Sequence, residues 1–135
     1  MIKTRAKILV VDDDPDFRQA VTTILKSGGL ETVTAVNAAD GAAKLLAERP
    51  DVVLLDIMMD NLFDGYSLCH AIKTTKEFES VRDTPIIFVS AVKTIAGSRF
   101  GFRGEDVGMT GPDDYMDKPV KAADLLARID RILAK

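Results

Sequence analysis

Apolar residues fall along this chain in two rhythms. Unbroken runs at Ile8-Leu9-Val10-Val11, Val52-Val53-Leu54-Leu55 and Ile86-Ile87-Phe88-Val89 have the pattern of strands buried on both faces of a parallel sheet. Elsewhere the spacing is three and four, as in Phe17, Ala20, Val21, Ile24 and Leu25, and again in Ala122, Leu125, Leu126, Ile129, Ile132 and Leu133. Each of these stripes is one buried face of a helix.

The polar residues between them punctuate the elements. Residues 7 to 12 form the first strand. Asp14 can then cap a helix that begins at Pro15, where a missing N–H is harmless, and Gly28-Gly29 ends it. Glu31 to Val36 alternates weakly as a second strand. Asn37 caps a helix whose small-residue face is Ala39, Ala42, Ala43 and Leu46, and Arg49-Pro50 stops it. Asp51 to Asp56 is the third strand, Asp60 to Gly65 a polar loop, and Tyr66 to Lys76 a helix with Leu68, Cys69 and Ile72 inward. Pro85 opens the fourth strand, which ends at Ser90.

Between Ala91 and Pro112 stand Gly97, Gly101, Gly104, Gly108 and Gly111. Each glycine inside a helix costs about 1 kcal/mol relative to alanine, so a helix there is expected to be short, broken or mobile. Asp113 to Asp117 is a short last strand, and the final helix starts behind Lys121, a poor cap. Strand alternating with helix implies right-handed crossovers. The predicted fold is α/β, a doubly wound five-stranded parallel sheet, flavodoxin-like, with strand order 2-1-3-4-5.

Composition narrows the class without changing this picture. At 135 residues one domain is expected over 1–135, with no output domain, and a chain of that size can bury a bit over ~65% of its unfolded surface. With 47% hydrophobic residues, 29% charged residues and a net charge of −3, there is no general reason to expect nucleic-acid binding. Cys69 is the single cysteine and reads as a small buried hydrophobe in a reducing compartment. Lys3, Arg5 and Lys7 precede an apolar run too short for a signal peptide, and no stretch is long enough to cross a bilayer. A cytoplasmic location is expected.

The candidate chemistry lies at strand ends. Asp12 and Asp13 close the first strand, Asp56 the third and Ser90 the fourth, and Lys118-Pro119 follows the fifth. The carboxyl ends of the strands in such a sheet form the ligand-binding rim. Three carboxylates there need a cation, and Mg²⁺ suits them, because it takes octahedral oxygen ligands and typically one or two carboxylates with a phosphate oxygen. Taken singly, an acidic pair before a proline is usually a cap, a serine after a strand a turn, and a lysine a solvated charge. Their joint occurrence on this strand pattern carries the inference.

The set resembles the receiver domain of two-component response regulators, from about Lys7 to Lys135. That resemblance implies that Asp56 is the phosphoacceptor, that Asp12 and Asp13 place Mg²⁺, and that Met58 contributes its backbone carbonyl to the metal. It further implies that Ser90 is a switch hydroxyl, Tyr115 the switch aromatic and Lys118 the cation on the phosphoryl oxygens, with a cis peptide bond between Lys118 and Pro119. The donor would be a histidine kinase or a histidine phosphotransfer protein, and the output an altered surface for a downstream protein.

The receiver pattern usually has a proline four residues after the phosphoacceptor and a glycine four further on. Here Asp60 replaces the proline and Gly65 arrives one residue late. His70 reads as a surface or structural residue, Met58-Met59 as loop and core packing, and Arg99, Phe100, Phe102 and Arg103 as part of a solvated loop. Two rival functions share the fold's features. One is a phosphorylation-independent interaction module. The other is a Mg²⁺-dependent phosphohydrolase of the haloacid-dehalogenase type, which needs an acid two residues after its nucleophile, where this chain has Met58.

Overall fold

Alternation along the strands decides the layers. In β1 (Lys7–Val11), Ile8 and Val10 join one core cluster while Leu9 and Val11 join the other. In β3 (Val52–Asp56), Val52 and Leu54 oppose Val53 and Leu55 in the same way, and every residue of the strand is buried. Successive side chains of a strand point to opposite faces, so a strand apolar at each position serves two cores at once. The computed structural model describes residues 6–57, 64–90 and 113–134, with Asp64, Tyr66 and Ser90 described in their backbone alone.

Five strands pair in parallel in the order β2-β1-β3-β4-β5, where β2 is Glu31–Ala35, β4 is Ile86–Ser90 and β5 is Asp114–Asp117. This is the doubly wound order the sequence predicts. Helix α1 (Pro15–Ser27) and the last described helix, α4 (Ala122–Leu133), cover one face through Val21, Leu25, Leu125 and Ile129. Helices α2 (Ala38–Glu48) and α3 (Asp64–Thr74) cover the other through Leu45, Leu68, Cys69 and Ile72. Each fully buried aliphatic side chain of this kind contributes about 1.5–3 kcal/mol relative to exposure.

The helix ends follow the capping residues. Asp14 accepts from the Asp16 backbone N–H at 3.0 Å with Pro15 in the first turn, and Asn37 accepts from the Asp40 N–H at 2.8 Å. Gly28 and Gly29 close α1, with Gly29 at φ 82°, a conformation open to glycine. Lys121 makes no side-chain cap bond. Midway along α4, Arg128 holds the helix to β5, its Nη1 donating to Asp114 Oδ1 at 2.8 Å and to the Tyr115 carbonyl at 3.1 Å.

Several boundaries and faces differ from the sequence reading. Asp12 lies just outside β1, and α3 starts at Asp64 and stops at Thr74, after which a 3-10 helix, Lys76–Val81, buries Phe78 and Val81. The face of α2 agrees in part with the one named above, Ala42 and Leu46 packing against the core. Gly41 and Leu45 are its buried residues and Ala39 and Ala43 are exposed, because an added Cβ at Gly41 would press on Val11: the backbone itself sits on the sheet. Met58, Met59, Asp60, Arg99, Phe100, Phe102, Arg103 and the glycine-rich 91–112 stretch lie outside the described residues.

Candidate functional site

Because all five strands run parallel, the residues after their carboxyl ends share one rim. Val11 is level with Leu55, so Asp12 follows at the height of Asp56 on the neighbouring strand. On the other side Asp56 is level with Val89, and Ser90 with Asp117, the residue before Lys118. The register alone therefore draws residues distant in sequence to one spot.

Asp12 is fixed from several directions. Its N–H donates to the Ala35 carbonyl at 3.1 Å, its Oδ1 accepts from the Asp14 N–H at 2.9 Å, and its carbonyl accepts from Arg18 Nη1 at 2.6 Å. The side chain is 1% exposed and that of Asp56 5%, so their negative charges are largely removed from water, which is unfavourable unless they are paired. Asp13 is exposed beside them. Asp12, Asp13 and Asp56 each offer an oxygen within 4.8 Å of the others.

Lys118 answers part of that charge. Its Nζ lies 2.9 Å from Asp12 Oδ2 and 3.6 Å from Asp56 Oδ2, and the ring of Phe17 sits beneath it with its centroid 4.2 Å away. The contact with Asp12 Oδ2 is an ion pair without hydrogen-bond geometry: that buried oxygen accepts no hydrogen bond among the described residues. Three clustered carboxylates, one ammonium and a buried oxygen with acceptor capacity left over form a donor set that fits a hard divalent cation such as Mg²⁺.

Gly65 packs directly on the backbone at the end of β3. This buried residue donates its N–H to the Ile57 carbonyl at 3.0 Å, and an added Cβ would overlap the Asp56 carbonyl oxygen and the Ile57 Cα. A residue with a side chain does not fit there without moving the backbone that carries the carboxylate.

The residues predicted from sequence thus divide. Asp12, Asp13, Asp56 and Lys118 come together, and the Lys118–Pro119 peptide bond is cis. Tyr115, on β5, is partly buried and packed against the core cluster that contains Phe88 and Leu55. Ser90 ends β4, its backbone alone described, and Met58 lies outside the described residues. His70 is exposed on α3. Two neighbours of the site escape a reading by motif: Phe17, which its spacing marks only as part of a buried helix face, and Arg18, which carries no strand-end signal. The sign available in sequence was their place in the first turn of a helix capped immediately after Asp12 and Asp13.

Such a rim defines an α/β domain with an acidic cluster that could hold a metal ion, and comparison with known proteins specifies its family. The family model described as "Response regulator receiver domain" matches residues 8–130, and the chain belongs to that family. It is 35% identical over 124 residues to Protein PilG of Pseudomonas aeruginosa, covering 91% of this chain and 84% of PilG. It is also 35% identical over 134 residues to the probable transcriptional regulator ycf27 of Guillardia theta, covering 99% of this chain but 48% of that protein, so it spans about half the length of this relative. Among solved structures, a CheY-like receiver domain protein from Methanospirillum hungatei superposes with a TM-score of 0.77 at 28% identity, covering 96% of this chain and 94% of the other.

Proposed function

We propose that this receiver accepts a phosphoryl group on Asp56 from a histidine kinase or a histidine phosphotransfer protein and thereby switches a protein-interaction surface. The observation that carries the reading is the placement of the Asp56 carboxylate, 3.6 Å from an ammonium and within 4.8 Å of two further acids. A carboxylate ionised at neutral pH needs no general base. One Asp56 oxygen attacks phosphorus in line, the bond from phosphorus to the donor nitrogen or oxygen breaks, and the product is an acyl phosphate; catalysis is positioning and charge neutralisation.

Asp12, Asp13 and Asp56, with the Met58 carbonyl, would hold Mg²⁺. When bound, that ion offsets the negative charge of the acids and of the phosphoryl oxygens. Lys118 adds a point charge on a phosphoryl oxygen, and the Ser90 hydroxyl donates to another. Drawing Ser90 inward leaves space that the Tyr115 ring fills, and so remodels the surface around β5 and α4. Both arrangements pre-exist within a few kcal/mol, and phosphorylation shifts their balance. An acid two residues after Asp56 is missing, Met58 standing there, so nothing favours steady hydrolysis of phosphate esters.

The test is intact-mass analysis after incubation with Mg²⁺ and a small acyl phosphate. Wild type should gain one phosphoryl group and Asp56→Asn none. Equal gain in both would place the acceptor elsewhere, and no gain in either, together with no uptake of beryllofluoride, would favour a phosphorylation-independent interaction module.

A further inference from the structure

The ring under the Lys118 ammonium has no role in the chemistry above. Phe17 Cζ and its neighbours offer no hydrogen bond, yet the ring centroid lies 4.2 Å from Nζ, well inside the roughly 6 Å within which a cation is attracted to an aromatic quadrupole. The Lys118 side chain is only 19% exposed, so water screens this attraction less than it would at the surface. We infer that Phe17 is a positioning residue for Lys118, its ring fixing the ammonium between Asp12 and Asp56.

The need for such a device follows from the lysine itself. Lysine carries a compact charge on a flexible four-carbon stem with three rotatable donors, and its stem does not define where that charge rests. Two carboxylates compete for it here, Asp12 at 2.9 Å and Asp56 at 3.6 Å. A third acid would hold the ammonium as well but would occupy an N–H and add negative charge to a rim already crowded with it. An aromatic face attracts the charge and leaves the N–H groups free for oxygen atoms.

The ring is also firmly placed. Phe17 is the third residue of α1, whose first turn is set by the Asp14 cap and by Pro15. It packs against the core cluster that contains Ile8, Val10 and Val21. The next residue, Arg18, donates to the Asp12 carbonyl at 2.6 Å, which ties the helix turn, the ring and one of the two competing acids into one unit. By this geometry the helix start sets the position of a charge contributed by the opposite end of the chain.

The functional consequence rests on the reading of Asp56 as phosphoacceptor, and the experiment separates the two. Phe17→Leu keeps an apolar side chain and removes the ring, whereas Phe17→Tyr keeps the ring face. Cation–π contacts of about 0.5–2 kcal/mol, at 1.36 kcal/mol per tenfold, set the expected effect at about 2- to 30-fold. Phosphorylation of Asp56 by acetyl phosphate and Mg²⁺ should slow by that factor in Phe17→Leu and recover in Phe17→Tyr. A double-mutant cycle with Lys118→Met, read by urea unfolding in Mg²⁺-free buffer, should show coupling of the same size. The Lys118 ε-CH₂ resonances should be displaced by the ring current in wild type and Phe17→Tyr, and not in Phe17→Leu. Coupling and ring-current displacement in a wild-type chain that takes up no phosphoryl group would leave the positioning intact and sink the phosphoacceptor reading. Equal rates in Phe17→Leu and wild type, or no coupling to Lys118, would overturn the inference; if Phe17→Leu fails to fold, undisplaced Lys118 resonances in wild type would do so.

Discussion

Removing one charge from the acidic rim should make the protein more stable, not less. In Asp13→Asn the side chain keeps its volume and one acceptor oxygen and loses its negative charge. Asp12, Asp13 and Asp56 place oxygens within 4.8 Å of one another, and two unit charges that far apart repel by about 3.5 kcal/mol at an effective dielectric of 20 and by about 0.9 kcal/mol at that of water. Asp13 enters two such pairs, but it is exposed, and solvent screens a surface charge heavily. The Lys118 ammonium relieves a further part. A net gain of about 1–3 kcal/mol is left for the variant in Mg²⁺-free buffer at low salt, and it should shrink in 1 M salt, where the Debye length falls to about 3 Å. The same substitution removes a carboxylate from the proposed cation site. Mg²⁺ at one hundred times its Kd should stabilise wild type by about 2.7 kcal/mol and the variant by less. Urea unfolding followed by circular dichroism, with and without Mg²⁺, reads both effects. A variant less stable than wild type without the ion, or one that gains as much from it, would refute the reasoning.

Two further substitutions probe the backbone contact behind Asp56 and the core. Gly65→Ala should destabilise the fold by at least about 2 kcal/mol, because the new Cβ overlaps the Asp56 carbonyl and the backbone must shift; unfolding midpoints check this, and wild-type stability would contradict the contact. Cys69 is fully buried, and burial pushes its thiol up to about 12 from 9.0. Below pH 9 the folded and unfolded chains both hold that proton. Above it only the unfolded chain releases it, so stability should fall by about 1.4 kcal/mol per pH unit between 9 and 12. Cys69→Ala should flatten this limb relative to wild type, and a thiol reagent at pH 8 should label Cys69 at the rate of unfolding; prompt labelling of the native protein would show the thiol to be accessible.

The centre of the sheet was legible because β1, β3 and β4 obey a single rule. Runs such as Val52-Val53-Leu54-Leu55 have no polar face, and a strand of that kind has no place except between two helical layers. With the strands assigned, the topology sent Asp12, Asp13, Asp56 and Lys118 to one rim. The 3-10 helix at Lys76–Val81 was not legible, since six residues with Phe78 and Val81 buried show no more periodicity than a loop. The face of α2 was legible in part, Ala42 and Leu46 packing against the core, but Ala39 and Ala43 face solvent, because alanine spacing alone does not fix a face. The close approach of its backbone to Val11 at Gly41 decides the rotation, and that contact is between elements, not along one. Phe17 was visible as core and hidden as a neighbour of Lys118, because spacing along a helix carries no information about what crosses its end.

Gly65 shows how a departure from a sequence pattern can leave the site intact. Counted along the chain, it is one residue late for a receiver, and with Asp60 in place of the usual proline the loop after Asp56 departs at two positions. The physical requirement, though, is that some residue without a Cβ meet the Asp56 carbonyl where the chain enters α3, and Gly65 meets it, its N–H on the Ile57 carbonyl at 3.0 Å. A loop can absorb an extra residue at small entropic cost, since closure entropy grows only slowly with length. A collision between a Cβ and a carbonyl oxygen cannot be absorbed in that way. The contact therefore constrains the chain more tightly than the count does, and the Asp56 carboxylate retains its seat at the end of β3 although the spacing behind it has changed.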